Sequence, residues 1–157
     1  KHKEILVVTY LNNSELKDTF YSAGAKYVIP EKEISSKLIA SFVFEPDVAK
    51  FAEDLITTAT SDDAFDFMEF EVNEHNQYIG KTCGDLFFEL KKDFNSILMG
   101  ISKLESGEYI LYKNPETNMI VEQGDYLVIV SDGDTKREME KRFKAKEGRK
   151  LNGAMKN

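Results

Sequence analysis

The densest run of chemistry-bearing side chains in this 157-residue chain is acidic: Asp62, Asp63, Asp66, Glu69, Glu71 and Glu74. Hard divalent cations such as calcium take six or more oxygen ligands, and carboxylates supply them. The alternation from Phe67 to Val72 predicts a strand with Met68, Phe70 and Val72 on one face. Glu69 and Glu71 then share the other face, where both reach one ion, and they are the candidate metal ligands. The competing reading is a strand edge kept soluble by charge.

Other motifs carry less. Gly80-Lys81-Thr82 mimics the end of a phosphate-binding loop, but such a loop needs a glycine five residues before Gly80, where His75 stands. His2 and His75 are too few and too isolated for zinc. Cys83, the lone cysteine, has Lys81 nearby but no base, which is the setting of a small packed residue. No Ser–His–acid or Cys–His arrangement can be drawn, so the chain reads as non-enzymatic. Two rival readings stay open: a stand-alone divalent-cation-binding sensor module, and a fragment of a nicotinamide-dependent oxidoreductase.

The elements that would position these groups fall into two lobes, 1–60 and 61–157. Ile5 to Thr9 reads as a buried strand, Ser14 to Ala23 as a helix ending at Gly24, and Tyr27 to Ile29 as a second strand stopped at Pro30. Such a parallel βαβ unit exists only within a larger covered sheet, and the glycine-rich phosphate turn of a dinucleotide fold is missing. With a lysine as its first residue, the chain is expected to be the rear portion of a nucleotide-binding-type regulatory domain.

Ile34 to Phe44 predicts an apolar helix, kinked or broken at Pro46 and resumed from Val48 to about Thr58. Phe42, Phe44, Pro46, Val48, Phe51 and Leu55 are the candidate hinge and dimer-contact residues; the alternative is that they close over their own core. The polar stretch Thr57 to Asp63 is the expected lobe boundary.

The rear lobe reads as α+β. After the Phe67 strand come a short helix Leu86–Leu90 and a strand Ser96–Ile101. A hairpin turn at Ser106-Gly107 leads into Tyr109–Tyr112, and Gln123-Gly124-Asp125 turns into the strand Tyr126–Val130. Asp134 is the expected cap of a final helix from Thr135 to about Lys146.

A net charge of −7 argues against a nucleic-acid backbone or an anionic membrane as partner. The basic run from Lys136 to Lys156 reads as a solvated helix face with a frayed tail. Ile5–Val8 and Leu127–Val130, the longest apolar runs, are too short for a bilayer. A single cysteine fits a reducing compartment.

Three phrases, in this order and spacing, resemble a known family: Ala23-Gly24-Ala25-Lys26-Tyr27-Val28-Ile29-Pro30, Tyr78-Ile79-Gly80-Lys81-Thr82, and Ile120-Val121-Glu122-Gln123-Gly124-Asp125-Tyr126-Leu127-Val128-Ile129-Val130. Together they look like the RCK or TrkA-type domains that regulate potassium conductance, over roughly residues 4–145. The resemblance implies a truncated Rossmann-like βαβ remnant, a crossover helix and a TrkA-C-like α+β lobe, an α/β plus α+β chain. It implies a cytoplasmic ligand- or ion-sensing module that gates potassium flux through a channel or transporter by rearranging paired subunits. Its implied partners are a second copy or larger ring and a membrane pore domain, at the cytoplasmic side of the cell membrane; charge and the short apolar runs add the expectation of no nucleic acid and no membrane insertion of its own.

A nucleotide site is implied on the absent front part, with calcium or a cyclic dinucleotide as other ligands. Of the calcium sites in related channels, one falls here on Tyr10 and Asn12 and is lost. A second matches Glu69, with its partner falling near Val48, which cannot ligate, although Asp47 is adjacent.

Overall fold

The computed structural model describes residues 6–56 and 65–149. The expected lobe boundary at Thr57 to Asp63 lies outside the described residues, and so do His2, Asp62 and Asp63. The chain is a mixture of α and β structure, with two sheets and five α-helices among the described residues. It divides into two compact units, one up to Glu53 and one from Asp54 to Lys150. No helix among the described residues is long and apolar enough to cross a membrane.

In the front unit, β1 (Val8–Leu11) and β2 (Tyr27–Pro30) pair in parallel, with Val8 opposite Tyr27 and Tyr10 opposite Ile29. Of the expected strand Ile5–Thr9, Ile5 lies outside the described residues and Leu6 and Val7 precede β1, because pairing with β2 selects the register Val8–Leu11. The expected helix Ser14–Ala23 is instead a 3-10 turn, Ser14–Leu16, followed by α1 (Lys17–Ser22). Asn13 accounts for that start: its side chain accepts the Glu15 amide at 3.1 Å and tightens the first turn. Leu11, Ala25 and Val28 are buried, with Phe20 packed against them. The opposite face shows Val8, Tyr10, Tyr27 and Ile29, all exposed.

Helix α2 (Glu31–Phe44) starts immediately after Pro30, three residues earlier than the apolar spacing predicts. Glu31 and Glu33 in its first turn favour that start through the helix dipole. Glu45 leaves helical geometry at φ −141°, ψ 65°. Helix α3 (Pro46–Ile56) then begins on Pro46, at the first helical position, where a missing N–H costs nothing.

The rear unit is built on a four-stranded antiparallel sheet in the order β3-β6-β4-β5, from β3 (Phe65–Glu71), β4 (Ile97–Glu105), β5 (Glu108–Lys113) and β6 (Tyr126–Asp132). Met68 and Phe70 of β3 stand opposite Ile129 and Leu127 of β6, which stand opposite Leu98 and Ile101 of β4. These six pack in one core with Leu86 and Leu90 of α4 (Cys83–Phe94) and Met139 and Phe143 of α5 (Gly133–Phe143). The Phe143 ring meets Phe70 and Tyr78 edge-to-face at 5.1 and 5.5 Å. The ladder shifts register between Leu98 and Gly100. Gly100 sits close against β5 there: a Cβ would lie 3.0 Å from Leu111 Cδ1 and 3.1 Å from the Tyr112 carbonyl, so both would have to shift.

Helix α4 runs well beyond the expected Leu86–Leu90. The Thr82 hydroxyl caps it by accepting the Asp85 amide at 3.0 Å, and Asn95 closes it at a left-handed φ of 52°. The cap of α5 is Asp132, whose carboxylate accepts the Thr135 amide at 2.8 Å, while the expected cap Asp134 sits in the first turn. Both aspartates suit a helix start, and the one three residues before an unbonded amide takes the role.

Candidate functional site

The candidate hinge residues lie where α2 gives way to α3. Pro46 opens α3, so the break is real and sits at Glu45. Phe42, Phe44, Val48 and Phe51 are exposed, Phe44 most of all at 81%. Leu55 is half-buried, and Ala49 faces fully inward. No residue of the 14-residue α2 is buried, and Ile34, Ile39 and Val43 are exposed as well. An apolar helix surface of this extent is what interfaces bury.

A cavity of about 440 Å³ lies at the carboxyl ends of the two parallel strands, lined by Asn12, Asn13, Lys32 and Glu33 among others. In open α/β sheets that end is where ligands bind. Asn12 lines it and also, with Tyr10, the neighbouring depression.

Glu69 and Glu71 lie on the sheet face opposite the core, as the alternation predicts. Arg149 Nη2 stands 2.5 Å from Glu69 Oε1 and takes up its charge. Among the described residues, no group of three or more His, Cys, Asp or Glu side chains is arranged to hold a metal.

The resemblance-bearing turn Gln123-Gly124-Asp125 is a packed electrostatic knot. Asp125 is buried, and its carboxylate accepts both the Glu122 amide and the Lys103 ammonium at 2.8 Å. Lys103 also meets Glu122 at 2.8 Å. Burial pulls the Lys103 ammonium down, but its bonds to Asp125 and Glu122 outweigh this and hold its pKa above the usual lysine value. The same bond from Lys103 holds the Glu122 carboxyl below its usual range. Cys83 is buried, and burial pushes its thiol pKa up, so it is a packing residue as expected. Lys81 is engaged elsewhere, at 2.6 Å from Glu89.

Of the basic run expected to be a solvated face and frayed tail, residues 150–156 lie outside the described residues, and Lys141, Lys144 and Lys146 are exposed as expected, but three other cations are held by partners the sequence did not reveal. Lys136 pairs with Glu147, Arg142 with Asp93 and Arg149 with Glu69. Arg149 also lies over the rings of Tyr126 and Tyr109, at 4.3 and 4.5 Å from their centres. Eighty residues separate Arg149 from Glu69, so no local spacing could have joined them.

No protein-family model and no curated protein matches the chain. Solved structures do. The human SLO3 gating ring matches with a TM-score of 0.65 at 11% identity, over 87% of this chain and 27% of that one. The GsuK channel bound to NAD matches with a TM-score of 0.48 at 15% identity, over 90% of this chain and 23% of that one. The RCK_C domain dimer of S. agalactiae BusR in complex with c-di-AMP matches with a TM-score of 0.39 at 26% identity, over 48% of this chain and 92% of that one. The chain therefore spans about a quarter of the SLO3 and GsuK chains, 27% and 23% of their lengths.

One expectation is overturned. Two further matched structures are S. agalactiae BusR in complex with its promoter DNA, at 18% and 21% identity, so nucleic acid is not excluded as a partner. The physical reason is that a net charge of −7 describes these 157 residues alone, and basic DNA contacts can reside in another part of an assembly. Over 87% of its own length this chain shares its fold with the human SLO3 gating ring, and matched structures include RCK domains.

Proposed function

We propose that the chain is a non-catalytic regulatory module that gates potassium flux by changing how paired subunits are arranged. In this reading the front unit is the end of a Rossmann-like lobe with α2 and α3 as its crossover helix. The rear unit is a TrkA-C-like lobe, and the module works at the cytoplasmic side of a membrane pore. The observation that carries the reading is the broken helix pair, whose Phe42, Phe44, Val48 and Phe51 stand in solvent. The open face of the β1–β2 sheet supports it too, since parallel sheets are covered on both faces.

A ligand that favours one arrangement of the pair shifts its population, and a pore attached to it opens or closes accordingly. Glu69 is a calcium ligand in this reading only if Arg149 withdraws.

The test is potassium flux in membrane vesicles carrying the whole protein with its pore. Phe44→Asp combined with Val48→Asp is expected to abolish the response to ligand while the rear unit stays folded. Ligand-dependent flux unchanged by that pair of substitutions, or no potassium flux attributable to the protein, overturns the reading.

A further inference from the structure

On the sheet face opposite the core, three side chains from three strands converge on one cation. Arg149 Nη2 is 2.5 Å from Glu69 Oε1 of β3, and the guanidinium carbon is 4.3 Å from the Tyr126 ring of β6 and 4.5 Å from the Tyr109 ring of β5. The two rings stand edge-to-face, 5.1 Å apart at 78°. Each wall is fixed by the sheet. Tyr126 is 5% exposed, and the Tyr109 hydroxyl donates to the Gly124 carbonyl at 3.2 Å. Glu69 is held in the ladder opposite Val128. Aromatic faces with a carboxylate at the rim suit a planar, weakly hydrated organic cation.

The cage belongs to the sheet, but its occupant does not. Arg149 arrives on the segment after α5, which lies along β3 through one bridge, Phe70 with Glu147, and a hydrogen bond that the Gly148 N–H donates to the Glu69 carbonyl at 2.8 Å. Gly148 takes a φ of +95°, a conformation that a side chain would strain, to aim Arg149 back over the sheet. The fit is incomplete: Arg149 Nε is buried and donates to no acceptor among the described residues, which weakens the hold on this occupant. Glu71 lies on the same face and adds negative potential at Tyr126.

We propose that Tyr109, Tyr126 and Glu69 form a binding site for an arginine-type organic cation, and that Arg149 is a tethered competitor that an incoming guanidinium group displaces. The proposal is independent of potassium gating and stands if that reading falls.

The experiment is an NMR titration of the whole chain with ethylguanidinium, following the Gly148 amide and the two tyrosine rings. Because the tether gives Arg149 a high effective concentration, Arg149→Ala is expected to bind the probe about tenfold or more tighter than the unmodified chain. Adding Tyr126→Leu or Glu69→Gln to Arg149→Ala should weaken binding by about tenfold, as loss of a cation–π face or of the carboxylate requires. Ethylammonium, lacking the planar fork, should bind more weakly than ethylguanidinium.

N-acetyl-arginine amide distinguishes the source: binding tighter than ethylguanidinium marks an arginine of a peptide, and equal binding marks a free guanidino compound. Should Arg149→Ala fail to fold, the unmodified chain gives the answer, because the probe must speed hydrogen exchange at Gly148. No saturable binding to folded Arg149→Ala, indifference to Tyr126→Leu, or Gly148 exchange unmoved by the probe overturns the proposal.

Discussion

The Lys103 ammonium of β4 meets the Asp125 carboxylate at 2.8 Å, locking the turn that launches β6 onto the strand beside it. Lys103 is 15% exposed at its side chain and Asp125 6%, so the pair is shielded from solvent. Removing one partner of a shielded pair leaves a charge uncompensated, which costs about 3–5 kcal/mol where burial is complete. Lys103→Met is expected to approach the lower end of that range in chemical denaturation. Lys103→Met with Asp125→Asn should recover part of the loss.

Alkaline pH should weaken the rear unit. Burial, followed by the Glu71 charge, pushes the Tyr126 phenol up to about 12 from its usual 10. Lys103 is also raised above its ordinary value. Both groups hold their protons more tightly in the folded chain than in the unfolded one. Stability is therefore complete below pH 10 and falls as pH climbs toward the folded values. Thermal melts at stepped pH should show the decline, and tyrosinate absorbance should record a phenol titrating near 12.

Phe143 joins β3 to the Tyr78 turn through its two edge-to-face contacts. Phe143→Ala is expected to cost about 3–5 kcal/mol, the range for a buried aromatic truncated to alanine. Denaturant unfolding checks this, with the midpoint falling while the slope stays constant.

Cys83 should be inert in the folded chain. It is buried and its thiol is held above the usual value, so little thiolate is presented to reagents. A thiol-reactive chromogen is expected to label it only at the rate of unfolding, and in denaturant to label it at once. Rapid labelling of the native chain would contradict this packing.

Much of the rear sheet was legible because its core face alternates. Met68 and Phe70 announce themselves by period two and Leu127 and Ile129 by a short continuous apolar run, and all four are buried. The break at Pro46 was legible for the same local reason, since proline cannot continue a helix. What was hidden depends on partners distant in sequence or on competing caps. The Val8–Leu11 register is chosen by β2, and Asp132 prevails over Asp134 because its carboxylate reaches the Thr135 amide. The Arg149 cage joins residues from β3, β5, β6 and the segment after α5, and only the assembled sheet brings them together. The acidic pair was placed on its face correctly, yet its chemistry could not be read without knowing which cation would arrive.

The central claim is that the broken helix pair α2–α3 is a contact between copies. Light scattering of the whole protein is the most direct test. A dimer or closed ring is expected, and Phe44→Asp with Val48→Asp should reduce it to monomer without loss of helical content. A strict monomer at the highest soluble concentration, or an assembly indifferent to those two aspartates, would contradict it.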